Sequence, residues 1–417
     1  MNPSEVRVFL DYDALVVGAG PAGTSSAILL AKAGWRVVIV EQHAYPRRKV
    51  CGECVAAGNL ELLDELGIGA AFRSAAGPEI RRIGWMGAAI TVTGEMPPCS
   101  DGAYRYGRAL GRDRLDTLLL DRARALGVCV RQPARVRHVR GELGSLQSTL
   151  QTESGDEHIR TAVVIDAHGS WERGPVFASA APPTRAPHRQ SDLFAFKANF
   201  RHTALEPGFL PVLALPGGYG GMVVENEGLA TLACCLRRDA LSACRRSLRG
   251  TSAGDAVEGL LRRVCAGVGA ALQSAQREGD WLSVGPLRPG IRIGEPGAAF
   301  RVGNAAGESH ALIGEGISMA LQSSALLAGI LTRRPIDSIR GPDGVQLHRA
   351  YAASWRRTFA PRLRLAAIYA HIAMRPALAA PTRALLGWCP ALLSGAARLA
   401  GKAAKSVPSP STLAELA

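Results

Sequence analysis

The sequence is poor in aromatic residues and in lysine, and its C-terminal part lacks a long apolar run. Aromatic residues make up 5% of the 417 residues and hydrophobic residues 47%, values that suit a folded globular protein better than a disordered chain. The C-terminal region, rich in Ala, Leu and Arg, has no stretch of 18 residues free of both charge and proline. We therefore expect no transmembrane helix there.

The basic charge of the chain comes almost wholly from arginine. Lysine occurs only at positions 32, 49, 197, 402 and 405, while the formal net charge is +14. A solvated basic surface explains this charge most simply, although summed positive charge would also attract an acidic carrier protein or an anionic membrane. The arginines are dispersed and not interleaved with aromatic residues, so we expect no nucleic-acid partner.

The nine cysteines are scattered and odd in number, and the N-terminus shows no charged segment followed by an apolar run and a cleavage site. These features predict a reducing, cytoplasmic location. Cys234 and Cys235 would point to opposite faces of a strand, and no second pair at ligand spacing lies near Cys51 and Cys54 in the sequence. No metal site is therefore expected.

The first fifty residues carry the strongest motif. An apolar run at 13–18 predicts a buried parallel strand, the helix formers that follow end at Gly34, and 35–40 predicts a second strand. Between the first strand and the helix stand Gly18, Gly20 and Gly23 as G-x-G-x-x-G. The first glycine permits a tight turn, the second lets the backbone approach a pyrophosphate, and the third lets helix and strand pack closely.

The residues around this turn complete a dinucleotide site. The N-terminus of the helix that follows the glycines offers free N–H groups and a dipole that attract phosphate, and we predict that Pro21 and Ala22 contact the dinucleotide. Glu41, followed by Gln42, ends the second strand, and its carboxylate can accept hydrogen bonds from a ribose diol. We therefore predict that the chain binds a dinucleotide.

Four segments, the first of which is the glycine-rich turn, together carry a family resemblance: residues 17–23, residues 48–53, residues 112–116, and residues 303–307 with 314–317. Over roughly residues 12–335 the chain resembles the FAD-dependent oxidoreductases with the para-hydroxybenzoate hydroxylase fold, and within them the geranylgeranyl-reductase-like branch. The resemblance implies that the dinucleotide is FAD. It also implies that Glu41 and Gln42 hold the adenosine ribose and that Arg112 reaches the pyrophosphate or ribityl chain. The other cofactor contacts that we predict are Arg48, Cys51, Gly169, Asn304, Gly314, Gly316 and Ile317.

The sequence departs from the family pattern at two positions. Asn304 stands where the family usually has Asp, and it can still hydrogen-bond to FAD. His168 precedes Gly169 where hydroxylases usually have Asp-Gly, a motif tied to FAD and NAD(P)H handling. No second G-x-G-x-x-G follows a strand downstream, so we expect NAD(P)H to act as a transient reductant over the same fold, or another redox protein to deliver the electrons.

The patterns predict a mixed α/β (α+β) fold. It consists of a Rossmann-type FAD-binding domain (1–80, 105–180 and 285–335), an inserted antiparallel-sheet substrate domain (81–104 and 181–284), and a helical C-terminal extension (336–405) with a frayed tail (406–417). Prolines 361, 376, 381 and 390 are expected to break the C-terminal region into short helices. These helices would cover the core, or form a lid or a surface that touches lipid peripherally.

Candidate catalytic residues lie in two segments. Cys51 and Cys54 have dithiol spacing, but Cys51 could equally contact flavin or substrate, or the loop could simply be packed. His310 and Glu315 lie in the turn before Gly316 and should face the substrate side of the flavin, where either could be a general base or a plain turn residue. Lys49 would bear on oxygen or halide chemistry, yet the Trp-x-Trp-x-Ile-Pro signature of flavin halogenases is missing. Tyr219 belongs to a glycine-rich turn or to the pocket wall.

We therefore expect an FAD-dependent monooxygenase that hydroxylates an aromatic or extended apolar substrate, free or carried on an acidic protein or peptide. In that mechanism reduced FAD reacts with O₂ to give a C4a-hydroperoxide, which a buried pocket preserves until the substrate is attacked. One alternative is a geranylgeranyl-reductase-like flavoenzyme that reduces C=C bonds of a prenyl or polyketide chain. The polar Glu-Ser-His stretch at 308–310 favours the hydroxylase. Another alternative is a flavoprotein that acts as a maturation factor on a protein partner.

Overall fold

The computed structural model describes residues 9–88, 91–100, 102–178, 187–247, 252–295, 297–339 and 341–403. The predicted tail at 406–417 lies outside these ranges. The strands that the described residues form are, in chain order, β1 Phe9–Val17, β2 Val37–Val40, β3 Cys54–Val55, β4 Arg82–Met86, β5 Thr91–Glu95, β6 Arg108–Ala109, β7 Cys129–Arg131, β8 Arg135–Glu142, β9 Ser145–Thr152, β10 Gly155–Asp166, β11 Val176–Phe177, β12 Leu193–Arg201, β13 Phe209–Leu215, β14 Gly218–Val224, β15 Ala230–Arg237, β16 Gln276–Leu287, β17 Gly290–Ile291, β18 Phe300–Arg301 and β19 Gly307–Glu308.

The α-helices of the described residues include two long buried ones and a C-terminal group. They are α1 Pro21–Lys32, α2 Leu60–Glu65, α3 Gly69–Ala75, α4 Arg112–Ala125, α5 Arg238–Ser247, α6 Ala253–Val264, α7 Ala266–Ala271, α8 Gly316–Leu331, α9 Gly341–Ala373, α10 Pro376–Trp388 and α11 Ala391–Leu399.

The first sheet has the order β11-β8-β9-β10-β1-β2-β7. The short strand β18 pairs with the carboxyl end of β10, on the edge opposite β1. β1 pairs in parallel with β2 and β10, and β2 pairs in parallel with β7. All four residues of β2 are buried. Helices cover one face of these strands, and apolar side chains of β8, β9 and β10 pack together with those of the other face. The carboxyl ends of β1 and β2 lie side by side, which is where open parallel sheets bind their ligands.

The second sheet has the order β16-β12-β15-β14-β13-β4-β5. Its pairs are antiparallel except β13 with β4, which run in parallel. One face packs on α6 and α7, and the other face, together with α9, α10 and α11, forms a separate hydrophobic cluster. The second sheet therefore has a core on each face, and one of these cores includes side chains of the C-terminal helices.

The structure confirms the predicted mixed α/β fold and corrects several elements. Residues 253–271 of the substrate domain form two helices, α6 and α7, with a break at Cys265. The hairpin β8–β9 was not predicted, because few of its residues are apolar: β9 alternates buried and exposed positions, but one of the buried positions is Ser148. Pro361 does not break α9, a helix of 33 residues that contains this proline. Pro381 likewise lies inside α10.

Candidate functional site

The glycine-rich turn between β1 and α1 has the shape that a phosphate-binding loop requires. Gly18 has φ +98°, and a Cβ there would lie 2.7 Å from the carbonyl oxygen of Ala167. A Cβ at Gly23 would lie 1.9 Å from the carbonyl oxygen of Gly18, so α1 packs directly on the end of β1. Around Gly20 there is space, since the nearest atom to a Cβ would be the Arg112 guanidinium at 3.7 Å. The open side of this glycine faces a pocket, and α1 begins at the next residue.

Glu41 stands at the end of β2, directly beside the glycine-rich turn. Its carboxylate accepts a hydrogen bond of 2.9 Å from the N–H of Ala19 at one oxygen and one of 2.9 Å from the N–H of His43 at the other. The side chain is buried and lines the pocket together with Gln42. A carboxylate fixed in this way suits a ribose diol.

Two cations line the pocket next to the turn. The Arg112 guanidinium donates to the carboxylate of buried Asp116 at 2.7 and 2.6 Å. Burial works to lower the pKa of Arg112, but Asp116 outweighs it and holds that pKa above its usual value. Lys49 forms no ion pair with a described residue; burial first, then the charges of Arg112 and Arg47, lower its pKa. The neighbours of Lys49 thus place it at the phosphate end of the pocket rather than at the substrate end where a catalytic role was predicted.

The middle of the pocket is built from the segment before α8. Gly303, Asn304, Gly314, Gly316 and Ile317 all line it. Two of these glycines have positive φ, +56° at Gly303 and +62° at Gly314, so other residues would be strained there. Because α8 begins at Gly316, the free N–H groups of its first turn lie at the pocket, where they would stabilise negative charge on a reduced flavin.

These features fit FAD. Glu41 and Gln42 would hold the adenosine ribose, and the backbone of 303–317 would lie along the flavin. Arg112 and Lys49 would together supply positive charge to the pyrophosphate, and Gly20 leaves room for it. Gly169 and Cys51, two of the predicted cofactor contacts, line the same pocket. Gly23 acts through packing instead, since it lies behind the turn.

The opposite end of the pocket lies against the second sheet. Its lining is largely apolar: Phe196, Leu210, Pro211, Met222, Leu287 and Leu312. Tyr219 of β14 lines this apolar end, and its hydroxyl lies 3.0 Å from Nδ1 of His310. Burial raises the pKa of Tyr219 well above its usual value and lowers the pKa of His310. Near neutral pH the pair is therefore a phenol and a neutral imidazole, between which a proton can pass.

His310 does not itself line the pocket, although it was predicted to face the substrate. Its neighbours Ser309 and Ala311 do so, while the imidazole stands behind Tyr219. Glu315, the other predicted candidate for a general base, is turned away into the protein between Arg362 and Lys402, at 3.5 and 3.7 Å. Burial raises the pKa of Glu315. The expectation that Glu315 faces the substrate side is therefore corrected.

The loop at 48–54 connects the pocket to the second sheet through buried charges. Glu53, which lines the pocket, forms an ion pair with Lys197 of β12 and accepts a hydrogen bond of 2.6 Å from Thr231 of β15. Burial first, and then the Glu53 charge, raise the pKa of nearby Glu225 to about 8. Burial opposes ionisation of Glu53 too, but Lys197 holds its pKa below the usual value. One proton is thus kept on Glu225 near neutral pH.

Arg48, a predicted cofactor contact, takes no part in the pocket lining. Its guanidinium donates to the side-chain oxygen of Asn199 at 2.6 Å and so faces the second sheet. Cys51 and Cys54 are both free thiols. Cys54 is fully enclosed and lies 3.9 Å from Nζ of Lys402, and burial raises its pKa, which disfavours the thiolate that a redox dithiol needs.

A cluster of hydrogen-bonded polar side chains lies beside Asn304 at the pocket wall. Ser170 donates to Glu308 at 2.6 Å, Arg292 donates to the other oxygen of Glu308 at 2.7 Å, and the Asn304 amide lies 3.4 Å from the Ser170 hydroxyl. Ser170, Asn304 and Glu308 all line the pocket. The His168 ring, which replaces the usual Asp, meets Asp166 at 2.5 Å instead.

Sequence reasoning missed two features of this site. Lys197 occurs in the run Leu-Phe-Ala-Phe-Lys-Ala-Asn-Phe, where the only charge in an apolar strand signals a buried partner. Lys402 donates to the carbonyl oxygen of Gly314 at 3.1 Å. The region after the last C-terminal helix therefore contacts the segment before α8 that lines the pocket. Only the rarity of lysine in the chain marked Lys402 out. Among the described residues, no cluster of three or more His, Cys, Asp or Glu side chains is placed to hold a metal ion, and no helix has the length and apolar character to cross a membrane.

Comparison with known proteins agrees with the geometry. Residues 11–206 match the FAD binding domain family. Over 181 residues the chain is 28% identical to the 1H-pyrrole-2-carbonyl-[peptidyl-carrier protein] chlorinase of Pseudomonas fluorescens, covering 38% of this chain and 39% of that relative, less than two thirds of its length. It is 27% identical over 325 residues to digeranylgeranylglycerophospholipid reductase 1 of Methanopyrus kandleri, covering 75% of this chain and 78% of the reductase.

Solved structures show the same fold. The myxobacterial chondrochloren halogenase, an FAD-dependent enzyme, superposes with a TM-score of 0.76 at 19% identity, over 97% of this chain and 99% of the halogenase. The p-nitrophenol 4-monooxygenase of Pseudomonas putida superposes with a TM-score of 0.74 at 17% identity, over 95% of this chain and 99% of the monooxygenase. The C-terminal helices are therefore included in the likeness.

Proposed function

We propose that the chain, whose residues 11–206 match the FAD binding domain family, is an FAD-dependent monooxygenase that hydroxylates an aromatic or extended apolar substrate. The observation that carries the proposal is the Tyr219–His310 pair at the apolar end of the FAD pocket. An isolated polar pair in an apolar chamber suits a substrate with one acidic hydroxyl on an otherwise apolar body.

When bound, FAD would take electrons from NAD(P)H and use them to activate O₂. The chain contributes a dry site for this chemistry. Apolar side chains of the second sheet, with Leu287 and Leu312, close the substrate end, and exclusion of water limits wasteful release of peroxide. The positive end of α8 and the backbone of 303–317 hold the cofactor against this chamber.

Tyr219 and His310 would move one proton during hydroxylation. The substrate hydroxyl gives its proton to the Tyr219 oxygen, and Tyr219 passes its own proton to Nδ1 of His310, leaving a substrate oxyanion that activates the ring or enol for attack. His310 then returns the proton to solvent, since its ring is only partly buried. Burial lowers the pKa of His310, which makes the imidazole a weaker base for this proton but favours its release to solvent, while the charge of Glu308 works in the opposite direction.

The same pocket supports a second candidate, halogenation of a substrate held on a carrier protein. It is favoured by the likeness to the chlorinase, whose name gives a peptidyl-carrier-bound pyrrole as its substrate, and by the net charge of +14. Against it, the sequence lacks the Trp-x-Trp-x-Ile-Pro signature. Reduction of C=C bonds is a third candidate, motivated by the likeness to the archaeal reductase.

One experiment separates the three reactions. The FAD-loaded protein is reduced with NADPH and given a panel of phenols, enols and polyenes, free or thioester-linked to a carrier protein, under ¹⁸O₂ with and without bromide. Incorporation of one ¹⁸O atom into product supports the monooxygenase. A brominated product without ¹⁸O supports halogenation, and a product with two added hydrogens formed without O₂ supports reduction; either result alone would reject our proposal.

A further inference from the structure

The outward faces of α10 and α11 are apolar. Six of the ten large hydrophobic side chains that the described residues expose lie in the short interval between 368 and 399, and Trp388 is 92% exposed. The six are Ile368, Leu378, Leu385, Trp388, Leu392 and Leu399. Such a concentration is rare on the surface of a soluble monomer and marks an interaction surface.

The same part of the chain carries positive charge only. Residues 344–414 include eight arginines and two lysines, but no aspartate or glutamate. Arg364, Arg375, Arg383 and Arg398 flank the apolar side chains, and none of the four forms an ion pair with a described residue. An apolar face with a rim of unpaired cations is complementary to a surface that is apolar inside and anionic outside.

The inner side of these helices is firmly attached. Leu386 of α10 and Leu393 of α11 are buried in one hydrophobic cluster with Tyr219 and Leu312 of the pocket wall. The exposed face therefore lies on a rigid support, on the side of the molecule where the substrate end of the pocket is found. It does not belong to a mobile arm.

We propose that α10 and α11 dock on an anionic lipid bilayer, with their apolar face in the headgroup region and the arginine rim on lipid phosphates. A bilayer is favoured over an acidic protein because Leu and Trp dominate the exposed face, whereas charge would dominate a carrier-protein contact. Docking of this kind is peripheral, since no described helix can cross a membrane. It would present the substrate end of the pocket to apolar molecules dissolved in the bilayer.

The test is flotation of the full-length FAD-loaded protein with phosphatidylcholine vesicles and with vesicles that contain about a third phosphatidylglycerol. The variant L385S/W388S removes two exposed apolar anchors, and V176S is its matched control, since Val176 and Leu385 are both 56% exposed. A second variant, R383Q/R398Q, removes half of the rim. All of these side chains except Arg383 are exposed and none lines the pocket, so FAD content and circular dichroism should be unchanged.

We expect the wild type and V176S to float with anionic vesicles and to bind neutral vesicles less. L385S/W388S should bind anionic vesicles at least about tenfold more weakly, and R383Q/R398Q should lose the preference for anionic over neutral lipid. Vesicle binding unchanged in L385S/W388S would overturn the proposal. So would a wild-type dimer that this variant converts to a monomer, or binding of an acidic acyl carrier protein through these residues without any binding of vesicles.

Discussion

Replacing Arg112 by methionine removes a buried guanidinium that has two separate partners. One is Asp116, which is 1% exposed and accepts both hydrogen bonds of the guanidinium. The other is the proposed pyrophosphate of FAD, which would lie between Arg112 and Gly20. A single substitution disturbs both, so the prediction compares R112M with the double variant R112M/D116L.

Loss of the Asp116 contact should change the free energy of unfolding, and loss of the FAD contact should change the affinity for FAD. In the protein without FAD, R112M leaves the Asp116 carboxylate buried and unpaired, which should lower the free energy of unfolding by about 3–5 kcal/mol. R112M/D116L replaces the whole pair by apolar side chains of similar size, and its free energy of unfolding should return to within about 1 kcal/mol of the wild type. The lost charge-assisted hydrogen bonds to FAD are worth about 1.5–3 kcal/mol, so FAD should bind about 10- to 150-fold more weakly to the double variant.

Two measurements check these values: urea unfolding of the FAD-free proteins and titration of each with FAD, followed by flavin fluorescence. Because the double variant restores stability, its FAD affinity reports the cofactor contact without a folding defect. Wild-type FAD affinity in R112M/D116L would show that Arg112 does not hold the pyrophosphate. A double variant as unstable as R112M would instead refute the account of the buried ion pair.

Three other perturbations follow from the structure. FAD affinity should fall as pH rises through the lowered pKa of Lys49, because the diphosphate requires the protonated ammonium, and a titration of K49M should show no such fall. Y219F should lower turnover of a hydroxylated substrate about 100-fold or more while FAD binding stays unchanged, and H310Q should behave alike; equal product formation by Y219F would contradict the proton path. The pKa of Glu225 is raised in the folded protein to about 8. Glu225 therefore makes its full contribution to the free energy of unfolding at acidic pH, and this contribution declines as the pH rises from the usual pKa of glutamate towards 8. Unfolding of E225Q at several pH values should lack this decline, whereas E227Q, two residues away and exposed, should retain it.

The sequence was a good guide wherever a motif depends on local backbone geometry. The turn at Gly18, Glu41 at the end of β2, and the start of α8 at Gly316 all lie where the spacing predicts. Each of them depends on a few neighbouring residues and on the fixed geometry of a strand followed by a helix. For the same reason most of the predicted cofactor contacts line one pocket, although Arg48 and Gly23 do not.

The substrate end was less predictable because its contacts join distant parts of the chain. The Tyr219–His310 pair connects positions 91 residues apart, and Arg48 meets Asn199 across 151 residues. Residue type and spacing cannot specify such partners, since they depend on strand register and on how the two sheets are oriented. His310 was therefore assigned to the pocket itself, although it stands behind Tyr219, and Glu315 was assigned to the substrate side, although it faces Arg362 and Lys402.

The buried charges around Glu53 explain how the two ends of the pocket are held in register. An ion pair inside a protein is costly to desolvate, and apolar side chains of equal volume would often stabilise the fold as well or better. Glu53 and Lys197 are nevertheless both enclosed, and Glu53 belongs to the loop that carries Lys49 and Cys51 along the cofactor side. Apolar packing would let that loop slide against β12, whereas a paired charge with a hydrogen bond from Thr231 has one low-energy position. The network therefore fixes the cofactor loop to the sheet that bears Tyr219, so the proposed proton path and the predicted flavin site would be positioned by the same buried contacts.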